Sequence, residues 1–365
     1  MNSFIDEMMG LNPNVEAMFA EPEQKPQGNP YRYKTNPNTV SKDVAPDGHY
    51  RSKVKILYNP FDKAKSIVSK QYYNFNDTDG YFAIDSVLSN NDRNCPYFKA
   101  WKQLHYDTST DVVVSYNGQQ MTKQQWGDAM FSKSEERYCL VQVIEDANQP
   151  ELVGKILGMK LPRFIYTLLQ NKMNPTDKTK APVDLMNYLF GPVLSIDVTP
   201  GPDDPSAPER KNREIKYDLS SFEESEATPI IKIDGTQLFT EDELEAIQDY
   251  FEQKKVLTNS KASAKKKEDA KAKCQGLVEN IKPLMERALE YLKENAIDLE
   301  KEFGFKAPSE AIFARGERWL KNVMEFKDPK VTFEATATLS LGSSEVGTGV
   351  PDTAPFNEAE DDLPF

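Results

Sequence analysis

Between Tyr31 and Tyr106 the chain carries 14 of its 38 aromatic residues, among them Tyr72, Tyr73, Tyr81, Tyr97, Trp101 and Tyr106. Arg51, Lys53, Lys55, Arg93 and Lys102 are interleaved with them. An aromatic face stacks on any nucleobase and a cation neutralises a phosphate, so the mixture suits a sequence-independent hold on an unpaired strand. The plain alternative is an aromatic core beneath solvated lysines. Neighbours on a strand point to opposite faces, so Tyr72 with Tyr73, and Tyr81 with Phe82, cannot all be core. A second chemical feature closes the chain. Glu358, Glu360, Asp361 and Asp362 precede Leu363, Pro364 and Phe365. Two readings compete: a merely solvated tail, or a docking peptide in which Phe365 fills an apolar pocket while its α-carboxylate meets a basic residue and the acids steer the encounter.

Catalytic patterns are missing from the sequence. It holds no P-loop, paired-glycine fingerprint, GxSxG or HExxH. His49 and His105 have no evident triad partners and read as surface or turn residues. Asp77, Asp79 and Asp85 suggest a metal-dependent nuclease, but a hairpin turn at "NDTDG" explains the first two better. Cys95, Cys139 and Cys274 lack metal-ligand spacing and suit a reducing compartment. We expect no enzyme, no cofactor and no metal.

The net charge of −13 conceals an asymmetry. Residues 31–180 hold 21 bases against 16 acids, whereas seven acids and no base follow Lys330. A basic body with an acidic tail is a balance associated with nucleic-acid binding. A mean hydropathy of −0.65 is low for one globule, so linker and tail are expected. No apolar run is long enough for a membrane span and the N-terminus lacks a signal peptide's basic start, so we expect no membrane partner.

The elements that must position these residues follow from periodicity. We expect strands at 50–58, 67–75, 80–88, 111–116, 138–146, 154–160, 193–199 and 213–219, with one helix at 163–173 behind Pro162. After Pro229 the pattern turns helical. Thr240 and Glu243 form a capping box, a lysine-rich stretch occupies 254–273, and helices follow around 276–303 and 308–326. The lysine-rich stretch is either a second nucleic-acid contact or a solvated helix joint, and the joint is the preferred reading. The expected divisions are an N-terminal helix and linker at 1–30, a strand domain at 31–230, a helical region at 231–327 and a disordered acidic tail at 328–365.

Several stretches in order, "HYRSKVKILYNPFD", "GYFAIDSVLSNNDRNCPYFKAWKQLHY", "RYCLVQVIEDANQPELVGKILGMKLPRFIYTLL" and "VLSIDVTPG" through "YDLSSFEESEATPI", resemble the single-stranded-DNA-binding protein of T-even-type bacteriophages. The resemblance covers about residues 50–230. It implies a mainly β OB-fold, a Greek-key barrel, with the helical region and tail appended, covering single-stranded DNA during phage replication, recombination and repair in the cytoplasm of the infected bacterial host. It puts Tyr106 and Tyr138 where that family has DNA-facing aromatics. With Arg137 added, the expected contact set is Arg51, Lys53, Lys55, Tyr72, Tyr73, Tyr81, Arg93, Tyr97, Trp101, Lys102, Tyr106, Arg137 and Tyr138. The family's zinc is not expected, because only Cys95 remains of its ligands, with Ser86, Phe98 and Tyr72–Phe75 at the other positions. The family's basic N-terminal arm is also missing, and the helical region lies outside its pattern. The ending resembles the acidic Pro-Phe tip of bacterial single-stranded-DNA-binding proteins, which implies replication and recombination proteins as partners of Asp361, Asp362, Leu363, Pro364 and Phe365. The alternative function is a structural adaptor using barrel and helices for protein assembly.

Overall fold

The computed structural model describes residues 29–35, 45, 47–87, 94–177, 181–199, 215–259 and 261–330. The expected N-terminal helix, Arg93 and the C-terminal tip lie outside them. The chain divides into two compact units, residues 1–32 and 33–365. In the first, the Tyr31 N–H donates to Asn29 Oδ1 at 2.9 Å, a local turn. β1 (Arg32–Tyr33) spans the division.

The second unit combines a sheet-rich core with several helices. Its strands are β2 (Tyr50–Leu57), β3 (Ile67–Asp77), β4 (Gly80–Asp85), β5 (Val112–Tyr116), β6 (Gln119–Thr122), β7 (Ser132–Asp146), β8 (Ile156–Lys160), β9 (Val193–Val198) and β10 (Ser221–Glu223). The helices are α1 (Pro96–His105), α2 (Lys123–Met130), α3 (Arg163–Met173), α4 (Glu241–Thr258), α5 (Ala264–Asn295), α6 (Leu299–Phe303) and α7 (Glu310–Met324). The main sheet runs β8-β7-β2-β9-β10, and β3 with β4 branches from β7. Among the described residues no ladder closes it into a barrel. Of the strand expected at 213–219, the described residues 215–219 hold an isolated bridge, Thr199 to Lys216.

β7 organises the unit because it is long enough to serve three neighbours. Leu140–Asp146 pairs with β2, Tyr138–Gln142 with β8, and Ser132–Cys139 with β3. Every residue from Tyr138 to Val143 is buried, the polar Gln142 included, as in a strand covered on both faces. Cys139, Val141 and Val143 join Val54, Ile56, Leu194 and α3's Ile165 and Leu169 in a first core. Tyr138 and Leu140 face a second core with Leu57, Ile156, Leu284, Ala288 and Phe303. The expected helical region is therefore no separate module: α4, α5 and α6 cover the sheet's second face. A Cβ on Gly158 would lie 2.1 Å from the Phe303 ring, so glycine admits α6 against β8.

A third core, remote in sequence from its own lid, fills the small lobe. Tyr73, Phe75, Phe82, Ile84, Tyr97 and Trp126 pack with Trp319 and Val323 of α7. Trp126 Nε1 donates to the Val323 carbonyl at 2.8 Å. The turn before β6 needs left-handed backbone at Asn117 and Gly118, with φ of 49° and 76°, the residues that adopt it most readily. Among the described residues no helix is long and apolar enough to cross a membrane.

Candidate nucleic-acid interface

Directly opposed residues of an antiparallel pair share a face, and the face alternates along the strand. Along one face of the β3–β7 ladder come Ile67 with Cys139, Ser69 with Arg137, Gln71 with Glu135, and Tyr73 with Lys133. Cys139 belongs to the first core and Tyr73 to the third. The two pairs between them form a polar window between apolar cores. Arg137 and Glu135 are partly exposed there and Ser69 is exposed. The Arg137 guanidinium lies 4.4 Å from the Tyr166 ring centroid, and its Nη2 meets Glu135 Oε2 at 2.7 Å. Glu135 also accepts from Ser69 Oγ at 2.7 Å.

On the ladder's other face Tyr72 is half-buried beside Ser134, its hydroxyl 3.4 Å from Glu136. Burial lifts its phenol pKa to about 12. Tyr81 is 59% exposed on β4. Lys70 is paired with Asp85 at 3.1 Å and Lys160 with Glu136 at 3.4 Å, so this face is charge-balanced.

α1 carries a different arrangement. Phe98, Trp101 and His105, at i, i+3 and i+7, form a stacked run with centroids 5.8 and 4.6 Å apart. Tyr106 stands edge-on to His105 at 5.1 Å and is 66% exposed. Asp128 holds His105 Nδ1 at 2.8 Å. Lys102 is exposed beside this run and forms no ion pair among the described residues. His105 thus belongs to the run rather than to a bare surface turn. Its i+4 spacing from Trp101 was the available signal, hidden because this stretch has no strand or helix period as clean as the others. Tyr166, the platform under Arg137, carried no signal in the sequence.

Four members of the expected contact set are committed elsewhere. Tyr73 and Tyr97 are buried in the third core, their ring centroids 5.8 Å apart and that of Tyr97 4.9 Å from Phe75. Tyr138 is 4% exposed and stacked 4.4 Å from Phe303, which spends the face that a base would need. Lys55 is fully buried, its Nζ donating to the Gly191 carbonyl. Buried as they are, these four present neither a ring face nor a charge to a strand. Arg51 and Lys53 remain at the surface but are engaged, Arg51 by Asp47 and Asp197, Lys53 by Glu145 and Glu223. The structure therefore groups Trp101, Lys102 and Tyr106, places Arg137 in the polar window, and leaves Arg51, Lys53, Tyr72 and Tyr81 apart from both.

Of the three acids that suggest a nuclease site, the carboxylates of Asp77 and Asp85 are likewise engaged. Asp77 accepts the Asp79 N–H at 2.9 Å and grips Arg315, while Asp85 holds Lys70 and the Lys306 N–H. Cys95 and Ser86 do meet, with Oγ 3.5 Å from Sγ, both buried in or beside the third core. One thiol and one hydroxyl among phenyl rings do not make a zinc site, which requires about four N, O or S ligands. Elemental analysis is expected to find no stoichiometric zinc, and a chelator to leave the melting temperature unmoved. One zinc per chain would reassign Cys95. The chain matches no protein-family model and no curated protein.

Proposed function

We propose that this chain is a non-enzymatic, sequence-independent single-stranded-DNA-binding protein with an OB-type strand core. In this reading it covers exposed strands during phage replication, recombination and repair in the infected host's cytoplasm. Residues 361–365 recruit partner proteins. The observation that carries the reading is the α1 run: three stacked rings ending on exposed Tyr106, beside a cation, Lys102, that no carboxylate pairs with among the described residues. Bases stack on such a platform regardless of identity, and Lys102 is free to meet phosphate. Arg137 lies over the Tyr166 ring in the polar window but is paired with Glu135, so the α1 run carries the reading alone.

Titration with oligo(dT) at low salt tests it through quenching of Tyr and Trp emission. Tyr106→Ala is expected to weaken binding by about 1–3 kcal/mol, the worth of one stacked base. Lys102→Ala is expected instead to flatten the salt dependence. A folded wild-type chain with no quenching and no retention of the strand would sink the proposal. The competing reading, a protein-assembly adaptor, draws on the carboxylate partners that neutralise Arg51, Lys53 and Lys70. It expects the same null titration.

A further inference from the structure

The cations on and around the strands are largely spent on carboxylates, as with Arg51, Lys53, Lys70, Arg137 and Lys160. The tip of the α4–α5 hairpin is built differently. Lys261, Lys265, Lys266, Lys271 and Lys273 are exposed and Lys267 partly so. Among the described residues none of these six joins an ion pair. Glu268 and Asp269 are the only acids between Asn259 and Lys273. Ala270, Cys274 and Ile281 mark the buried side of α5. Lys267 and Lys271, four apart, share one flank of it, and Lys266 and Lys273, seven apart, share the other.

This placement is unfavourable for the isolated helix. α5 has no acid in its first turn, where three lysines crowd the positive end of its dipole. Like charges four residues apart add to the strain. An anionic partner reverses both terms. A peptide partner would need an apolar anchor, and none of the exposed large apolar side chains lies between residues 259 and 277. A phosphodiester backbone needs only cations unencumbered by carboxylates.

We propose that the α4–α5 tip is a second contact for the phosphodiester backbone of a bound strand, engaged when the strand extends beyond the α1 run. This rests on the strand-binding reading above. The test compares the full chain with a variant carrying Lys265→Gln, Lys266→Gln, Lys267→Gln, Lys271→Gln and Lys273→Gln, using dT oligonucleotides of about 8 and about 30 nucleotides. The short strand is expected to bind both proteins alike. The long strand is expected to bind the variant about tenfold more weakly at about 0.1 M salt, with its salt slope reduced by about 2. The matching Lys→Arg set is expected to restore both. If the wild type binds and the variant follows it at both lengths, the tip is overturned and the α1 site stands. If the wild type binds neither strand, the strand-binding reading falls and the tip with it. A labelled peptide of residues 351–365 serves as a further probe. If the substitutions abolish its binding while long-strand binding stays intact, the tip belongs to an acidic peptide and the proposal is overturned.

Discussion

Trp319→Ala is expected to lower the stability of the chain by about 3–5 kcal/mol, the usual cost of deleting a large buried aromatic. Trp319 is 2% exposed, with its centroid 4.4 Å from Phe75 and 5.2 Å from Phe131. Its Nε1 donates to the Asn76 carbonyl at 3.2 Å, so truncation also removes that donor. The site cannot easily collapse to fill the cavity. Gly316, one turn earlier, is already in tight contact, since a Cβ there would lie 2.2 Å from the Tyr97 hydroxyl. Arg315 anchors the same turn to Asp77 and to the Gly80 carbonyl. The loss should be local in character. Hydrogen exchange is expected to quicken in β4, α1 and α2 while β2 and β9 keep their protection. Phe313→Ala, on the same helix but 46% exposed, is the control and should cost little. A Trp319→Ala chain within about 1 kcal/mol of the parent by urea denaturation would show that α7 is not the lid of the third core.

Lys55→Met is expected to stabilise the protein at pH 6 and to remove a pH dependence that the parent shows. Burial pushes the Lys55 pKa down to about 7, against the attraction of Asp184, which favours the charged form. Between that value and the ordinary one near 10.5, the unfolded chain holds a proton that the folded chain has shed. Stability therefore rises with pH across this window, by about 1.4 kcal/mol per unit, and is level below it. The whole window is worth on the order of 5 kcal/mol. Methionine never incurs this penalty, but it leaves the Gly191 carbonyl without its donor, at a cost of about 1–3 kcal/mol. The net gain at pH 6 is thus a few kcal/mol, shrinking to nothing or reversing near pH 10. Urea denaturation at four or five pH values reads it directly. Parallel profiles for parent and variant would mean that Lys55 is not buried as described.

What the sequence revealed depended on how locally each element is determined. The helix at 163–173 was legible because Pro162 opens it and its apolar spacing is clean. The capping box at Thr240 and Glu243 forms as expected, since both partners lie within one turn. A similar box at Thr122 and Gln125 opens α2, whose eight residues are too few to show a clear apolar period in the sequence. The candidate site fared worse. Strand alternation makes Tyr72 and Tyr73 point opposite ways, but which one is buried depends on contacts with α1 and α7 that lie outside the strand. The β2 cations Arg51 and Lys53 look free in the sequence because their acids, Asp197 and Glu223, come from β9 and β10. Lys55 looked like surface because the pattern of β2 alone cannot show that the loop carrying Gly191 crosses over it. Gln142 is the same lesson in a polar residue. Buried on β7, it exchanges hydrogen bonds with both backbone groups of Ile231 and so ties the start of the helical region to the sheet.

The small lobe also has an order of assembly during synthesis. Its rings from Tyr73 to Phe131 leave the ribosome long before Trp319 and Val323, which complete their packing. At about 5–20 residues per second, the stretch from Phe131 to Met324 takes on the order of 10–40 s to translate. Throughout that interval Phe75, Phe82 and Trp126 lack the side chains that cover them, while the first core draws its buried residues from Tyr33 to Val198 and can close earlier. Chaperone capture of the nascent chain should therefore fall on residues 73–131, and ribosome stalling before α7 should yield a chain whose main sheet is native and whose small lobe is not.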